Sequence, residues 1–312
     1  MAFFLGIDAG GTHTRCAVGD GSKVLARVSG SSIKLHRVGR EAATETLASL
    51  VRLALGQAGI EKHRIVASCI GIAGVSDPDV ERWARHVMAK EVSGDVQIVG
   101  DQTVAFEAAC PTGDGVLAIA GTGSIVMGRA RSGDTARAGG WGPVASDQGS
   151  AGWIGRRAVE HALRYSSQRT SDALAKMVFH EWDAASPEEI ARKSLAHPQP
   201  DFALLFPEVL HLGEKDSSAR LLLAQAGQEL AKDVLAVIRQ LWPKPKTPIL
   251  LRFCGGVLDH SAITRESMVE AVSKGCGRSS PDPTPVDPVL GALRLAEKTA
   301  ASQMEKRKTT QR

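Results

Sequence analysis

The chain has 312 residues, of which 43% are hydrophobic and 23% are charged, a globular composition long enough for one large domain or two of ordinary size. The formal charge of +4 is too small to indicate a nucleic acid or an anionic membrane as partner, and no apolar run has the length of a transmembrane helix. Five scattered cysteines without a Cys-x-x-Cys pair disfavour a disulfide framework and a compact zinc or iron–sulfur site, and favour a reduced, cytoplasmic protein.

The first third of the chain predicts a β-hairpin followed by alternating helices and strands. Asp20-Gly21 lies between two apolar runs, a pattern typical of a hairpin turn. Apolar residues recur at helical spacing before Gly59, which is suited to end that helix. The predicted strands are 3–8, 14–19, 24–28, 65–72 and 96–99, and the predicted helices are 39–58, 79–89 and 101–109.

The rest of the chain begins with a second strand, glycine turn and strand. The predicted strands are 115–120, 125–130 and 249–254, and the predicted helices are 151–163, 170–180, 187–196, 201–212, 216–241 and 287–298. The two halves repeat one plan of strand, Gly-Thr turn and strand, which predicts duplicated α/β domains around a cleft. The basic run at 305–312 is interpreted as a solvated chain end.

Three glycine-rich turns follow predicted strands. The first two are candidates for binding an anion, and the third is a candidate for letting an adenine ring lie flat on its backbone. Glycine lets backbone N–H groups approach a phosphate closely because no Cβ intervenes. The turns are Asp8-Ala9-Gly10-Gly11-Thr12, Gly121-Thr122-Gly123-Ser124 and Gly255-Gly256. Each has a plainer interpretation as an ordinary turn. The first two together favour a clamp on the β- and γ-phosphates of a nucleotide, and the Walker P-loop is absent.

Two aspartates are candidate reactive or substrate-binding groups. Asp101 lies where a predicted strand ends and a helix begins, and its alternative role is to cap that helix. Asp147 lies in a second glycine-rich loop that starts at Gly139.

Together these motifs resemble the superfamily of sugar kinases, actin and heat-shock ATPases. More narrowly, Gly139-Gly140-Trp141-Gly142, Asp147-Gln148-Gly149-Ser150 and Trp153-Ile154-Gly155 resemble the N-acetylglucosamine kinases, which are grouped with the BadF/BadG/BcrA/BcrD ATPases. The resemblance covers residues 3–298. It implies an α/β fold of two actin-like (ribonuclease H-like) domains around a central cleft, formed by residues 1–112 with 283–312 and by residues 113–282.

The resemblance also implies a reaction, the transfer of a phosphoryl group from ATP, with Mg²⁺, to the 6-hydroxyl of an amino sugar. N-acetylglucosamine is the leading candidate for this sugar. Asp101 is then the general base and Asp8 orients the hydrated metal. The implied cofactor-binding residues are Asp8, Gly10, Gly11, Thr12, Thr14, Gly121, Thr122, Gly123, Gly255, Gly256 and His260. The implied substrate-binding residues are Lys34, Asp101, Ser124, Gly140, Trp141, Gly142 and Asp147. Trp141 has a second interpretation, as a packing residue beneath its loop.

Two positions depart from the family pattern and make the expected sugar pocket more positive. Lys34 stands where the family has an asparagine that contacts the sugar, and Gln148 replaces a glutamate. One interpretation is that Lys34 points into solvent. The other is a substrate with a carboxylate, such as N-acetylmuramic acid, because lysine only donates hydrogen bonds. Glucosamine is a further candidate substrate.

Two functions of other classes stay open at this point. One is an ATPase that activates a partner enzyme, like the 2-hydroxyacyl-CoA dehydratase activators, which hold a [4Fe–4S] cluster between subunits through two cysteines. The nearest comparable pair here is Cys69 and Cys110. The other is a sugar sensor without catalysis. The expected partner is a small amino sugar, with no nucleic acid or membrane, and a homodimer is common in the families that the chain resembles.

Overall fold

The computed structural model describes residues 2–168 and 171–310. Residue 170, where a helix is predicted to begin, and residues 311–312 of the basic run lie outside this range. The chain divides into two compact units: unit 1 comprises residues 1–112 and 286–312, and unit 2 comprises residues 113–285. Within the described residues, no helix combines the length and the apolar character needed to cross a membrane.

Unit 1 is built on sheet 1, a five-stranded mixed sheet in the order β3-β2-β1-β4-β5. The first three strands are antiparallel neighbours, and β1, β4 and β5 run parallel. The strands are β1 (Phe3–Ala9), β2 (His13–Gly19), β3 (Val24–Ser31), β4 (Ile65–Ile72) and β5 (Asp95–Val99). The helices between and after them are α1 (Leu35–Val38), α2 (Arg40–Ala58), α3 (Pro78–Glu91) and α4 (Asp101–Ala109), with a 3₁₀ turn at Lys62–Arg64.

Local sequence explains where the outer helices of unit 1 begin and end. Helix α2 ends at Gly59, which adopts the left-handed conformation (φ 66°) that residues with a side chain rarely adopt. Helix α3 begins after Asp77, whose carboxylate accepts a hydrogen bond from the backbone N–H of Asp79, and Pro78 occupies the first turn. Both helices pack their apolar faces on one side of sheet 1, around Leu5 and Ile7.

Unit 2 is built on sheet 2, in the order β10-β9-β6-β7-β8. Its strands are β6 (Gly115–Ala120), β7 (Ser124–Arg129), β8 (Thr135–Gly139), β9 (Ile249–Cys254) and β10 (Ser279–Pro281). Its helices are α5 (Ala151–Arg164), α6 (Ala173–Glu181), α7 (Pro187–Ser194), α8 (Phe206–Leu212), α9 (Ser217–Leu241), α10 (Gly256–His260) and α11 (Ala262–Gly275), with 3₁₀ turns at Ser166–Gln168 and Phe202–Leu205.

The two sheets share one topology. In each unit, the first strand in the chain lies at the centre of the sheet. The second and third strands follow on one side of it as antiparallel neighbours, and the fourth and fifth follow on the other side as parallel neighbours. The repeated plan of strand, Gly-Thr turn and strand therefore predicted the duplication. The α/β fold of two actin-like domains expected from the sequence is confirmed.

The last helix, α12 (Pro288–Thr310), belongs to unit 1. The sequence analysis ended this helix at Lys298, which was wrong, because the following segment contains no Gly or Pro that would stop it. Helix α12 packs with α4 on the second face of sheet 1, where Leu293 joins Phe4 and Ala67 in an apolar cluster.

Close approach of α12 to the sheet depends on a glycine in β1. A Cβ atom at Gly6 would lie 2.6 Å from the backbone nitrogen of Leu293 and 2.9 Å from the carbonyl oxygen of Val289. No side chain fits in this space, so the first turns of α12 lie directly against the β1 backbone. Since side chains alternate along a strand, Gly6 and Asp8 share this face.

Gly6→Ala is expected to destabilise the protein by about 1–3 kcal/mol, because the new methyl group overlaps backbone atoms of α12. Gly56→Ala is the matched control, since a Cβ at that helical position meets no atom within 4 Å. Replacing glycine by alanine in a helix is expected to stabilise by about 0.5–1 kcal/mol. Urea denaturation measures the free energy of unfolding of both variants, which should fall for Gly6→Ala and rise for Gly56→Ala. Changes of the same sign in the two variants would contradict the packing argument.

Candidate active site

The turn between β1 and β2 leaves its backbone accessible. One hydrogen bond joins its two ends, from the backbone N–H of Gly10 to the carbonyl of His13 (3.2 Å). A Cβ at Gly11 would meet nothing within 4 Å, so an anion has free access to this backbone. The carbonyl of Gly11 accepts hydrogen bonds from the Ser32 hydroxyl (3.0 Å) and the Arg37 guanidinium (3.3 Å). The segment after β3 therefore holds the turn in place.

The two threonines of this turn have different surroundings. Thr12 is exposed at the tip of the turn, where its hydroxyl is accessible to a ligand. Thr14 is completely buried, and its Oγ1 has no hydrogen-bond partner. The predicted contact of Thr14 with the cofactor stays a prediction: the residue lies on β2, between β1 and β3, and its buried hydroxyl is unpaired among the described residues.

Asp8, near the end of β1, is partly buried, and two other carboxylates add to the effect of burial. Burial, reinforced by the charges of Asp101 and Asp287, raises the pKa of Asp8 to about 7, although Arg15 on the neighbouring strand opposes the shift. A nearby cation would favour the ionised carboxylate. Oxygen donors of this kind are the ligands that Mg²⁺ takes, usually together with several waters.

Asp101 is the first residue of α4, and the residue that precedes the helix is Gly100. Asp101 is therefore not the N-cap, which was its alternative role. One carboxylate oxygen accepts the N–H of Gln102 at 3.0 Å. Burial raises the pKa of Asp101, while this backbone contact and the charge of Lys34 act in the opposite direction. A half-buried carboxylate with a raised pKa is suited to accept a proton.

Lys34 is exposed and directly precedes α1, a single helical turn that the sequence analysis did not anticipate. Its backbone carbonyl accepts hydrogen bonds from the N–H groups of Arg37 and Val38. The interpretation that Lys34 is exposed to solvent therefore agrees with the structure. Its ammonium group is still close enough to Asp101 to lower the pKa of that carboxyl.

In unit 2, the other two glycine turns are neighbours. A Cβ at Gly121 would lie 4.0 Å from the backbone nitrogen of Gly256. Gly255 has φ 100°, and a Cβ there would lie 2.5 Å from the carbonyl oxygen of Ala120, so only glycine fits. Gly256 begins α10 and meets nothing within 4 Å, and both Gly256 and His260 are exposed. This pair of turns offers an accessible backbone surface of the kind that a nucleotide requires.

The turn that contains Thr122 is fastened to the start of α5. The carbonyl of Gly121 accepts the N–H of Ala151 (2.9 Å), and the carbonyl of Thr122 accepts the N–H of Gly152 (3.2 Å). These are N–H groups that a helix leaves without an internal partner. With its carbonyls held by α5, the turn keeps its exposed Thr122 side chain available to a ligand.

Asp147 fixes the loop between β8 and α5. Its backbone has φ 68°, an uncommon conformation for a residue with a side chain, and its carboxylate is buried. The carboxylate accepts hydrogen bonds from the backbone of Gly142 and Ser124 and from the Ser146 hydroxyl (3.4 Å). Burial raises the pKa of Asp147 despite these contacts. Backbone strain of this kind is concentrated at functional sites.

Two predicted sugar-binding residues lie differently from expectation. Ser124 is buried, and its hydroxyl donates to the carbonyl of Gln148 at 2.8 Å, so it secures the loop instead of presenting a free hydroxyl. Trp141 is 70% exposed, which excludes the interpretation that it packs beneath its loop. The guanidinium carbon of Arg137 lies 3.9 Å from the centre of the Trp141 ring and leaves its other face free. The same guanidinium donates to the carbonyls of Gly139 and Gly140.

The cysteines do not favour a shared iron–sulfur cluster. Cys69 and Cys110 are both buried, and burial raises the pKa of Cys69 to about 12, far from the thiolate that a cluster needs. Among the described residues, no group of three His, Cys, Asp or Glu side chains is arranged to hold a metal ion directly. A metal at Asp8 is therefore expected to keep much of its hydration shell.

The sequence analysis missed two acidic residues beside these loops. Asp287, just before α12, acts on Asp8 although the two are at opposite ends of the chain. Asp233 on α9 lies beneath the glycine loop, with its Oδ2 3.1 Å from the position of a Cβ at Gly139. No local motif marks either residue. Their positions follow from the packing of α12 on β1 and of α9 on β8.

One protein family matches most of the chain. The family model described as the BadF/BadG/BcrA/BcrD ATPase family matches residues 5–296. The chain belongs to this BadF/BadG/BcrA/BcrD ATPase family. The match spans both units and all three glycine turns.

Several proteins similar to this chain are sugar kinases by name. An N-acetyl-D-glucosamine kinase of Dictyostelium discoideum is 27% identical over 94% of this chain and 97% of its own length. An N-acetylmuramic acid/N-acetylglucosamine kinase of Clostridium acetobutylicum is 32% identical, but the match covers 54% of this chain and only 56% of that kinase. The crystal structure of a candidate N-acetylglucosamine kinase from Chromobacterium violaceum is 26% identical, with a TM-score of 0.74 over 95% of this chain and 99% of its own.

Asp8→Asn is expected to remove a pH dependence of stability. Folding raises the pKa of Asp8 from 3.8 to about 7, so the folded state holds an extra proton between these values and loses stability as pH rises through them. In metal-free buffer at about pH 8, the variant is expected to be more stable than wild type by on the order of 2 kcal/mol. The gain should disappear near pH 4.

Urea denaturation across this pH range measures the difference. Asp95→Asn serves as control, because the exposed Asp95 side chain carries the same charge without burial. If wild type and Asp8→Asn lose stability in parallel as pH rises, Asp8 does not titrate in the folded state as the electrostatics require.

Proposed function

We propose that this protein is an ATP-dependent kinase that phosphorylates an amino sugar. The observation that carries the proposal is the pair of partly buried carboxylates of unit 1, Asp8 on β1 and Asp101 on α4. Burial and the charge of Asp101 raise the pKa of Asp8, which lies beside an open glycine turn. Membership of an ATPase family and kinase relatives with full-length similarity support it.

In the proposed mechanism, Asp101 is the general base. The 6-hydroxyl of the sugar gives its proton to the Asp101 carboxylate while its oxygen forms a bond to the γ-phosphorus, and the bond to ADP breaks. The raised pKa of Asp101 makes this carboxylate a better proton acceptor than an exposed aspartate. Below that pKa the base is protonated, so activity falls as pH is lowered.

The cofactor requires backbone donors and a cation site. The N–H groups of Gly10 and Gly121 are paired within their own turns, so the candidate donors to phosphate oxygens are the next N–H groups, those of Gly11 and Thr122. Gly256 supplies an open surface for the base. Mg²⁺, when bound, neutralises charge on the phosphates as the phosphoryl group is transferred. Asp8 fits such an ion, because a cation relieves the repulsion among its neighbouring carboxylates.

For the sugar, the candidate surface in unit 2 is the loop from Gly139 to Asp147. Three donors from its own chain already contact the Asp147 carboxylate, so this group holds the loop and retains little capacity for the sugar. The free face of Trp141 and the backbone of Gly140 and Gly142 then provide most of the contact. Aromatic faces suit the apolar face of a pyranose ring.

Asp101→Asn is expected to lower kcat by about 10²–10⁴-fold, because the amide cannot accept the proton, while the affinity for sugar changes little. ADP release with Mg-ATP is measured against N-acetylglucosamine, glucosamine, N-acetylmuramic acid, glucose and no sugar. Asp95→Asn is the matched control for loss of a carboxylate in the same unit. ADP release that does not depend on sugar, or that survives in Asp101→Asn, would contradict the proposal.

An acidic sugar is the second candidate substrate, favoured by Lys34 beside Asp101 and by the name of the Clostridium acetobutylicum relative. If Lys34 binds a substrate carboxylate, Lys34→Ala should raise KM for N-acetylmuramic acid by about 10–100-fold, equivalent to a charged hydrogen bond, and leave KM for N-acetylglucosamine nearly unchanged. Arg40→Ala is a control for loss of a cation in the same segment, since the Arg40 side chain is exposed. Equal effects of Lys34→Ala on both sugars would rule this role out.

A further inference from the structure

The side chain of Trp141 is exposed, yet it is held in place. Trp141 is 70% exposed, whereas the other four tryptophans of the chain are buried or half-buried. An exposed side chain without fixed neighbours changes rotamer within nanoseconds. The backbone of Trp141 and one face of its ring nevertheless each contact a fixed group.

The group on the face of the ring is the Arg137 guanidinium. Arg137 lies on β8 opposite Met127 of β7. Its Nη2 donates hydrogen bonds to the carbonyls of Gly139 (3.2 Å) and Gly140 (2.8 Å), and its Cζ lies 3.9 Å from the centre of the Trp141 ring. Planar guanidinium groups stack on aromatic faces at such distances. Since the two hydrogen bonds fix the guanidinium, the ring contacts a group that is itself held by the loop.

The backbone of Trp141 is held independently of Arg137. Its N–H donates to the Ser146 hydroxyl oxygen at 3.2 Å. A Cβ at the preceding Gly140 would lie 2.8 Å from Cδ1 of Ile125, so the loop runs directly over this side chain of β7. With its backbone fixed, the ring moves only by rotation about its two side-chain torsions. The contact with Arg137 restricts that rotation.

We propose that Arg137 is a positioning residue of the sugar site: its guanidinium holds the Trp141 ring in place before the sugar binds, so that the free face of the ring is already oriented toward a pyranose. This role rests on the proposed function, which takes that face as a sugar contact. Ordering a side chain when a ligand binds reduces the affinity for the ligand, and a ring that is already held avoids this cost.

A double-mutant cycle on the affinity for N-acetylglucosamine separates action through the ring from action on the loop. Arg137→Ala is expected to raise Kd, measured by calorimetric titration, about 2–10-fold, the effect of ordering one side chain on binding. In a Trp141→Ala background the same change should have no effect, because the ring through which Arg137 acts is absent. The kcat of Arg137→Ala should remain that of wild type, since the ordering cost affects binding and not the transfer step.

Two results of the cycle would overturn the proposal. An equal rise of Kd in both backgrounds would mean that Arg137 acts by fastening the carbonyls of Gly139 and Gly140. An unchanged Kd in folded Arg137→Ala would mean that the ring needs no support. Arg131→Ala is the matched control, because it removes an exposed arginine of unit 2 that pairs with Asp114 at 3.2 Å, and it should leave Kd unchanged.

A second measurement follows the ring itself and needs no sugar. Protein labelled with 5-fluorotryptophan gives one fluorine NMR resonance for each of its five tryptophans, and the resonance absent from Trp141→Phe belongs to Trp141. In Arg137→Ala this resonance should narrow and move toward that of the free amino acid, because a released ring rotates faster. An unchanged resonance would overturn the proposal, and this result decides the case if Trp141→Ala binds sugar too weakly for calorimetry.

A conservative variant and the wild type complete the test. If Arg137→Ala does not fold, Arg137→Lys is measured in its place, since lysine keeps the charge but has no planar group to stack on the ring. The same directions of change are expected, and wild-type values of both Kd and the resonance overturn the role. Wild-type protein that binds none of the sugars named above and releases no ADP, although its Trp141 resonance responds to Arg137→Ala, would instead refute the proposed function.

Discussion

Partial burial of acidic side chains at the end of β1, to which repulsion between them adds, is the constraint that the packing of unit 1 must accommodate. Asp8 lies on β1, Asp101 lies on α4, and Asp287 comes from the opposite end of the chain. The charges of Asp101 and Asp287 both raise the pKa of Asp8. Close packing brings them together: Gly6 admits α12 to the strand, and Gly291 admits α12 to α4, where a Cβ would lie 1.9 Å from the carbonyl of Val104. Such an arrangement opposes folding, and it is typical of sites that bind a cation or move a proton.

Unit 2 uses the same topology for different chemistry. Its turns after β6 and β9 present backbone groups, and Asp147, the buried acidic residue of its glycine loop, is engaged by donors from its own chain. Both units therefore present a glycine turn after their first strand, and unit 1 adds two partly buried carboxylates, Asp8 and Asp101. These are the two requirements of phosphoryl transfer, a cation site with a base and a set of donors for phosphate oxygens.

The regular elements were largely predictable because local patterns specify them. Strand β4 and helix α4 have the bounds that the sequence predicts, since a continuous apolar run and a proline after the helix define them locally. Strands β8 and β10 were missed. The first is rich in alanine and glycine, which have low strand propensity, and the second is three residues long and contains a proline. Helices α10 and α11 follow Gly255 without a strong apolar period.

At the candidate site, motifs identified the loops but not the environment of each side chain. Thr14 and Ser124 are residue types suited to a ligand, yet both are buried, and burial depends on which strand lies beside each of them. The position of Asp287 depends on the return of α12 to unit 1, a contact between opposite ends of the chain. Sequence spacing carries no information on such a contact. Thr12 and Gly256, in contrast, lie inside turns that a local motif defines, so the sequence alone placed them at a turn.

The return of α12 also affects how the protein is made. One face of sheet 1, with Phe4, Ala67 and Cys69, is covered by α12 and α4. During synthesis this apolar face lacks α12 until residues 288–310 leave the ribosome, whereas unit 2 is continuous in sequence and complete by residue 285. Domains fold as units as they emerge. The second unit can therefore fold first, and the acidic site is assembled last, when its helix arrives to cover the older sheet.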